Sequence, residues 1–144
     1  MHRILIDADG CPVVDITVRL AREFQAACIL LCDTAHCFQI DGVQTITVSK
    51  GADSVDFALV NLLRAGDIVI TQDYGLAAMC LARGACPLHQ DGMRYTDDNI
   101  SALLDARYAA KKARMAGGRI RGQAKRTQAQ NHAFEAALRQ MLAK

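Results

Sequence analysis

The sequence predicts an α/β domain: a three-layer α/β/α sandwich on a mainly parallel sheet of four to five strands, with C-terminal helices added. Two observations carry this expectation. Short apolar runs alternate with helix-length amphipathic segments, the order that produces parallel pairing. Of the 144 residues 51% are hydrophobic, and Trp is absent, so aliphatic side chains must fill a core of the kind a sheet covered on both faces provides.

Arg3 to Asp7 (RILID) and Ala27 to Cys32 read as buried strands, and Val14, Val18, Ala21 and Phe24 mark one face of the helix between them. Gln44 to Val48 is a third strand, Asp53 to Leu63 a helix, and Asp67 to Thr71 (DIVIT) a fourth strand. Leu76 to Ala82 forms a short apolar helix. Ala85 to Leu88 is a fifth strand, confined to an edge because Pro87 has no N–H to donate. Residues 1–95 make the α/β core and residues 96–144 a helical, basic extension of the same single domain. In that extension Ile100, Leu103, Leu104 and Tyr108 put an apolar stripe on one helix, and Phe134, Ala137, Leu138, Met141 and Leu142 on another. Gly117 to Thr127 (GGRIRGQAKRT) separates the two as a basic loop.

Ile4 to Ile6 is cut short by Asp7, so no secretory stretch is read, and no segment approaches the ~20 apolar residues that span a bilayer. The six cysteines are then expected as reduced thiols of a cytoplasmic protein without a membrane partner. Cys28, Cys32, His36 and Cys37 lie close in sequence, but on one strand Cys28 and Cys32 would stand ~13 Å apart, too far to share a zinc ion.

The charge pattern is more informative than the formal net charge of +2. Asp outnumbers Glu thirteen to two, which places acids on caps, turns or metal sites rather than on helix surfaces. Asp7 ends the first strand, and Asp9 follows on the same side, ~6.6 Å away if the chain stays extended. Asp73 closes the fourth strand. Asp7, Asp9 and Asp73 therefore converge where ligands bind such sheets, at the carboxyl ends of the strands. Crowded carboxylates repel unless a cation neutralises them, and a hard oxygen donor set suits Mg²⁺ or Mn²⁺. Capping is the favoured reading for Asp53, Asp97 and Asp98 at helix starts, stands level with a site role for Asp56, and is the alternative for Asp73. Asp7 caps nothing, since Pro12 fits the first helical position and makes Cys11 the cap. The helix start from Cys11 to Val13 would offer N–H groups to a phosphate.

From Ala106 to Phe134 the chain carries no acid and eight basic residues. Arg107, Lys111 and Arg114 share a helix stripe, and Lys112, Arg119, Arg121, Lys125 and Arg126 extend it into a cationic surface for nucleic-acid phosphates. A solvated helix face is the bland alternative. Few aromatics interleave with these charges, so base stacking is not expected.

Over nearly its whole length the sequence resembles the YaiI/YqxD family, grouped with PIN-like nuclease domains. The resemblance rests on Asp7 to Val13 (DADGCPV), Gly51 to Asn61 (GADSVDFALVN), Gly66 to Leu76 (GDIVITQDYGL), Tyr95 to Ile100 (YTDDNI) and Gly117 to Thr127. Gly10 and Gln123 depart from residues common in that family, and neither change removes a carboxylate. The resemblance implies a PIN-like sheet and a metal-dependent RNA or DNA hydrolase, with acids at Asp7, Asp56 and Asp73 and a fourth at Asp9. In that scheme Asp7, Asp9 and Asp73 are catalytic and, with Asp56, hold Mg²⁺ or Mn²⁺. Thr71 and Asp53 support them from behind, and Lys50 joins the phosphate-binding residues. RNA is the favoured partner, and a homo-oligomer is compatible. Two rivals stand beside it. One is a haloacid-dehalogenase-like phosphatase with Asp7 as nucleophile, Asp9 as acid/base and Lys50 as phosphate ligand. The other is a non-catalytic RNA-binding module.

Overall fold

Ile4, Leu5 and Ile6 are all wholly buried, as a strand covered on both faces requires. They form β1 (Arg3–Asp7), the central strand of the computed structural model, which describes residues 2–33, 39–49, 54–115 and 125–144. The elements that follow are α1 (Val14–Glu23), β2 (Ala27–Asp33), β3 (Gln44–Val48), α2 (Ser54–Leu62), β4 (Ile68–Ile70), α3 (Tyr74–Ala82), β5 (Cys86–Leu88), α4 (Ile100–Met115) and α5 (Gln128–Leu142). All five strands pair in parallel in the order β3-β2-β1-β4-β5. Pro87 lies on the edge strand, as its missing donor demands.

Alternation along the strands sorts the core into two halves. Ile4 and Ile6 join Leu30, Cys32, Ile68 and Ile70 beneath α1 and α5. Leu5 joins Ile29, Leu31 and Val69 beneath α2 and α3. The result is the expected three-layer sandwich, with α4 packed on the outside of α3. The α5 stripe is borne out: Phe134, Leu138, Met141 and Leu142 are buried in the larger half-core and Ala137 packs against it. Among the described residues no helix is long and apolar enough to cross a membrane.

Four local expectations need correction. The chain does not stay extended after Asp7: it turns at Asp9 and Gly10, closed by the Cys11 N–H on the Ala8 carbonyl, with Gly10 at φ +67°. That turn delays the helix, whose N-cap is Val13 rather than Cys11. Val13 is fully buried and the Cys11 N–H already has its acceptor, so this helix start presents no open phosphate cradle. On α4 the expected stripe is not covered to its end, since Tyr108 is 66% exposed. Finally, β4 is Ile68–Ile70, shorter than DIVIT, although the Asp67 carbonyl and the Thr71 N–H still bond to the β5 backbone. Asp67 takes Arg3 at 2.6 Å and the Arg64 N–H at 2.8 Å.

Candidate functional site

β1 leads to β2 through α1 on one face of the sheet, and β4 leads to β5 through α3 on the other. Right-handed connections that run in opposite directions open a crevice between the two starting strands, at their carboxyl ends. Asp7 and Thr71 occupy that crevice. Ile6 pairs with Ile70, so the next residues, Asp7 and Thr71, fall side by side and share the face of Leu5 and Val69. The Thr71 hydroxyl donates to Asp7 Oδ2 at 2.8 Å and accepts from the Asp73 N–H at 3.0 Å. Thr71 is itself held at its carbonyl by the Tyr95 hydroxyl at 3.1 Å. Burial first, then Tyr74, pushes the Tyr95 phenol up, so it stays protonated and keeps donating.

Asp73 serves two ends at once. It is the N-cap of α3, its Oδ1 accepting from the Leu76 N–H at 3.1 Å, and the same oxygen stands 3.5 Å from Arg107 Nη1 on α4. The cap and the place in the site are the same fact. Asp9, on the turn, accepts from the Asp33 N–H at 3.4 Å. Asp56, in the first turn of α2, lies across from them.

Together Asp7, Asp9, Asp33, Asp56 and Asp73 line one pocket of about 490 Å³, with Gln72 and Arg107 at its wall. Among the described lining residues Arg107 is the one cation. The electrostatics register at Asp7, whose pKa is raised from 3.8 to about 6. Burial is the main cause, offset in part by the Thr71 hydrogen bond, and Asp56, Asp73 and Asp9 add repulsion. Sequence reasoning missed Asp33. It ended β2 at Cys32, and one residue more puts an acid on the face of Leu31, toward the pocket.

The donors are all hard oxygens, which fits Mg²⁺ or Mn²⁺ in kind. In their present positions, among the described residues, no three of these side chains come together closely enough to enclose an ion. Oxygens of Asp7, Asp9 and Asp73 are engaged by Thr71, Asp33 and Leu76.

Of the basic residues read from the sequence, Arg107 reaches the pocket, while Lys111, Lys112 and Lys125 are exposed away from it. Arg126 holds structural contacts of its own. Its guanidinium is spent on Asp91 Oδ1, the Gln90 carbonyl and Asn131 Oδ1, each at 2.7 Å, tying the loop after β5 to α5. Lys50, Asp53, Arg119 and Arg121, with the Arg114 side chain, lie outside the described residues, as do His36 and Cys37 of the zinc idea. The late acid beside Asp7 is Asp73, and the other late acids weighed for the phosphatase alternative lie elsewhere. Asp67 sits at the opposite edge with Arg3, and Asp97 and Asp98 are exposed next to the Thr96–Asn99 turn that starts α4.

Fold and site thus define a doubly wound parallel α/β protein with an acidic pocket at its switch point. The model of the family described as "Uncharacterized BCR, YaiI/YqxD family" matches residues 5–144, and the chain belongs to that family. It is 49% identical to a UPF0178 protein of Exiguobacterium sibiricum over 97% of this chain and 96% of the relative. It is 46% identical to one of Clostridium acetobutylicum, again over 97% and 96%. With a Bacillus cereus relative the identity is 38% over 98% of this chain and 99% of the other.

Proposed function

We propose that this chain is a divalent-metal-dependent nuclease that hydrolyses phosphodiester bonds, with RNA favoured over DNA. The observation that carries the proposal is the gathering of Asp7, Asp56 and Asp73, from three distant stretches of chain, in the switch-point pocket. Asp7, Asp56 and Asp73, with Asp9, would hold Mg²⁺ or Mn²⁺, which when bound lowers the pKa of a water and stabilises charge on a phosphoryl oxygen. The side-chain contributions follow from the contacts. Thr71 holds Asp7 in one orientation, and the α3 cap does the same for Asp73. Arg107, loosely paired and 57% exposed, is positioned to receive a phosphate at the pocket wall. Five unbridged cysteines, at positions 11, 28, 32, 80 and 86, support a cytoplasmic setting for the reaction.

The test is incubation of purified protein with RNA and DNA in Mn²⁺, Mg²⁺ or chelator, beside Asp7→Asn and Asp73→Asn. Cutting is expected with metal and is expected to fall to background with chelator or in either variant. Cutting that ignores both would end the proposal. Metal-independent binding that survives Asp7→Asn, without any cutting, would transfer the chain to the non-catalytic RNA-binding class.

A further inference from the structure

Beside the acidic pocket, the last rung between β4 and β5 is made by a side chain. Up to that point the backbone bonds follow the parallel pattern. The Cys86 N–H donates to the Asp67 carbonyl at 2.8 Å, and the Thr71 N–H to the Leu88 carbonyl at 3.1 Å. Carried on at the same offset, the ladder would bring the Gln90 N–H to the Thr71 carbonyl. The chain instead turns back after Leu88, with the His89 N–H on the Met93 carbonyl and the Gly92 N–H on the His89 carbonyl. Arg126 fixes this reversal through Asp91 Oδ1 and the Gln90 carbonyl, each at 2.7 Å. Thr71 is buried, so its carbonyl needs another donor. The Tyr95 hydroxyl supplies it at 3.1 Å, while the Tyr95 N–H ties the returning chain to the Pro87 carbonyl. The buried Tyr95 ring also meets the Tyr74 ring edge-on at 5.9 Å, and Tyr74 lines the acidic pocket.

We propose that Tyr95 is a positioning residue of the acidic pocket, its hydroxyl replacing the missing rung and so fixing the Thr71 side chain that holds Asp7. Only the use of Asp7 as a metal ligand rests here on the nuclease reading; the hold on Thr71 does not. β4 ends at Ile70, so Thr71 keeps one ladder bond, through its N–H, and its peptide could swing about that bond. With the carbonyl held as well, both sides of the residue are fixed and the hydroxyl keeps one direction. It donates to Asp7 Oδ2 at 2.8 Å and accepts from the Asp73 N–H at 3.0 Å. Packing alone does not call for tyrosine at this place. A phenylalanine would fill the same buried space, and a buried hydroxyl is costly unless it bonds. What the hydroxyl adds is the bond to Thr71.

The experiment reads the Thr71 χ1 angle by NMR, without metal, from the three-bond couplings of its methyl carbon to the backbone. In the unaltered protein one rotamer is expected. The Tyr95 hydroxyl proton should also exchange with water slowly enough to be observed. Tyr95→Phe keeps the ring and removes the rung, so the couplings should become averages over rotamers. Asp67→Ala breaks the pairing with Arg3 at the opposite end of β4 and controls for destabilisation as such. It should leave the couplings alone. Mn²⁺ titration of the folded proteins should then show binding weakened roughly tenfold in Tyr95→Phe and unchanged in Asp67→Ala. One retained rotamer in folded Tyr95→Phe, equal averaging in Asp67→Ala, or a Tyr95 hydroxyl proton lost to fast exchange would overturn the proposal. So would averaged couplings beside an intact Mn²⁺ affinity. If Tyr95→Phe does not fold, the hydroxyl proton of the unaltered protein decides alone. Failure of the nuclease reading looks different. No Mn²⁺ binding by the unaltered protein, with the couplings responding as expected, would remove the metal and leave Tyr95 in its role.

Discussion

Thr71 is the smallest side chain on which the site depends. Its hydroxyl joins Asp7 to the Asp73 backbone, and it is 2% exposed, so the bond is shielded from water. Because that bond lowers the Asp7 pKa against the larger effect of burial, Thr71→Val should drive the Asp7 pKa further up, measurable by NMR titration of its carboxyl. If Asp7 holds a metal as proposed, the same change should cost about 10- to 100-fold in metal affinity, the usual effect of losing a partner to a ligand. Asp7 itself predicts a pH effect with a definite sign. Its folded pKa lies above the ordinary 3.8, so the folded state binds more protons than the unfolded state between there and about 6. The metal-free protein should therefore lose stability as pH rises through that window, on the order of 3 kcal/mol if Asp7 acts alone. Asp7→Asn should flatten the window and be more stable than the unaltered chain above pH ~6 in denaturant melts. A profile that rises across the window in both proteins would contradict the burial of Asp7. At this scale the sequence disclosed most of the acids, because residue type and strand-end position suffice to find them. It did not disclose the duty of Arg126, because Asp91 is brought to it only by tertiary packing.

At the scale of the element, periodicity located each strand and helix among the described residues, and it failed where an end depends on a turn. Nothing in Cys11-Pro12 shows that Gly10, at φ +67°, spends two residues on a reversal before α1 can start. Asp73 illustrates the opposite case, since its cap begins α3 at Tyr74, two residues before the apolar run that identified the helix. Tyr108 extends an apolar stripe that α4 presents to solvent, and spacing alone cannot tell a covered stripe from a bare one. The seating of α5 can be tested at one atom. Gly92 sits at φ +92°, and a Cβ there would lie 2.6 Å from the Ala133 carbonyl oxygen. Gly92→Ala must displace either the loop or α5, and should cost about 3 kcal/mol in chemical denaturation. An unchanged midpoint would mean that the loop or α5 yields to the added methyl at no cost. Arg3 and Asp67 make the matching test at the far edge of the sheet, where Asp67→Ala strands a mostly buried guanidinium and should cost about 3 kcal/mol as well.

For the whole molecule, parallel order and two half-cores follow from alternation and amphipathicity, and the carboxyl-edge rule then indicates where the acids meet. The enclosure of an ion does not follow from the same rules, because it depends on side-chain positions to within an ångström. Ion binding has a readout independent of catalysis. Mn²⁺ or Mg²⁺ at a hundred times its dissociation constant should stabilise the fold by about 2.7 kcal/mol, and Asp7→Asn should abolish the shift in melting temperature. Equal shifts in both proteins would locate the ion elsewhere. The strand order carries a kinetic consequence. The partners Asp7 and Thr71 are 64 residues apart, and their meeting requires β4 to dock beside β1 across a long loop of chain. Closing such a loop is slow compared with forming α1 or pairing β1 with β2. During refolding, helical signal should therefore recover before any competence at the acidic crevice, and a chain arrested at that intermediate would be structured yet inert.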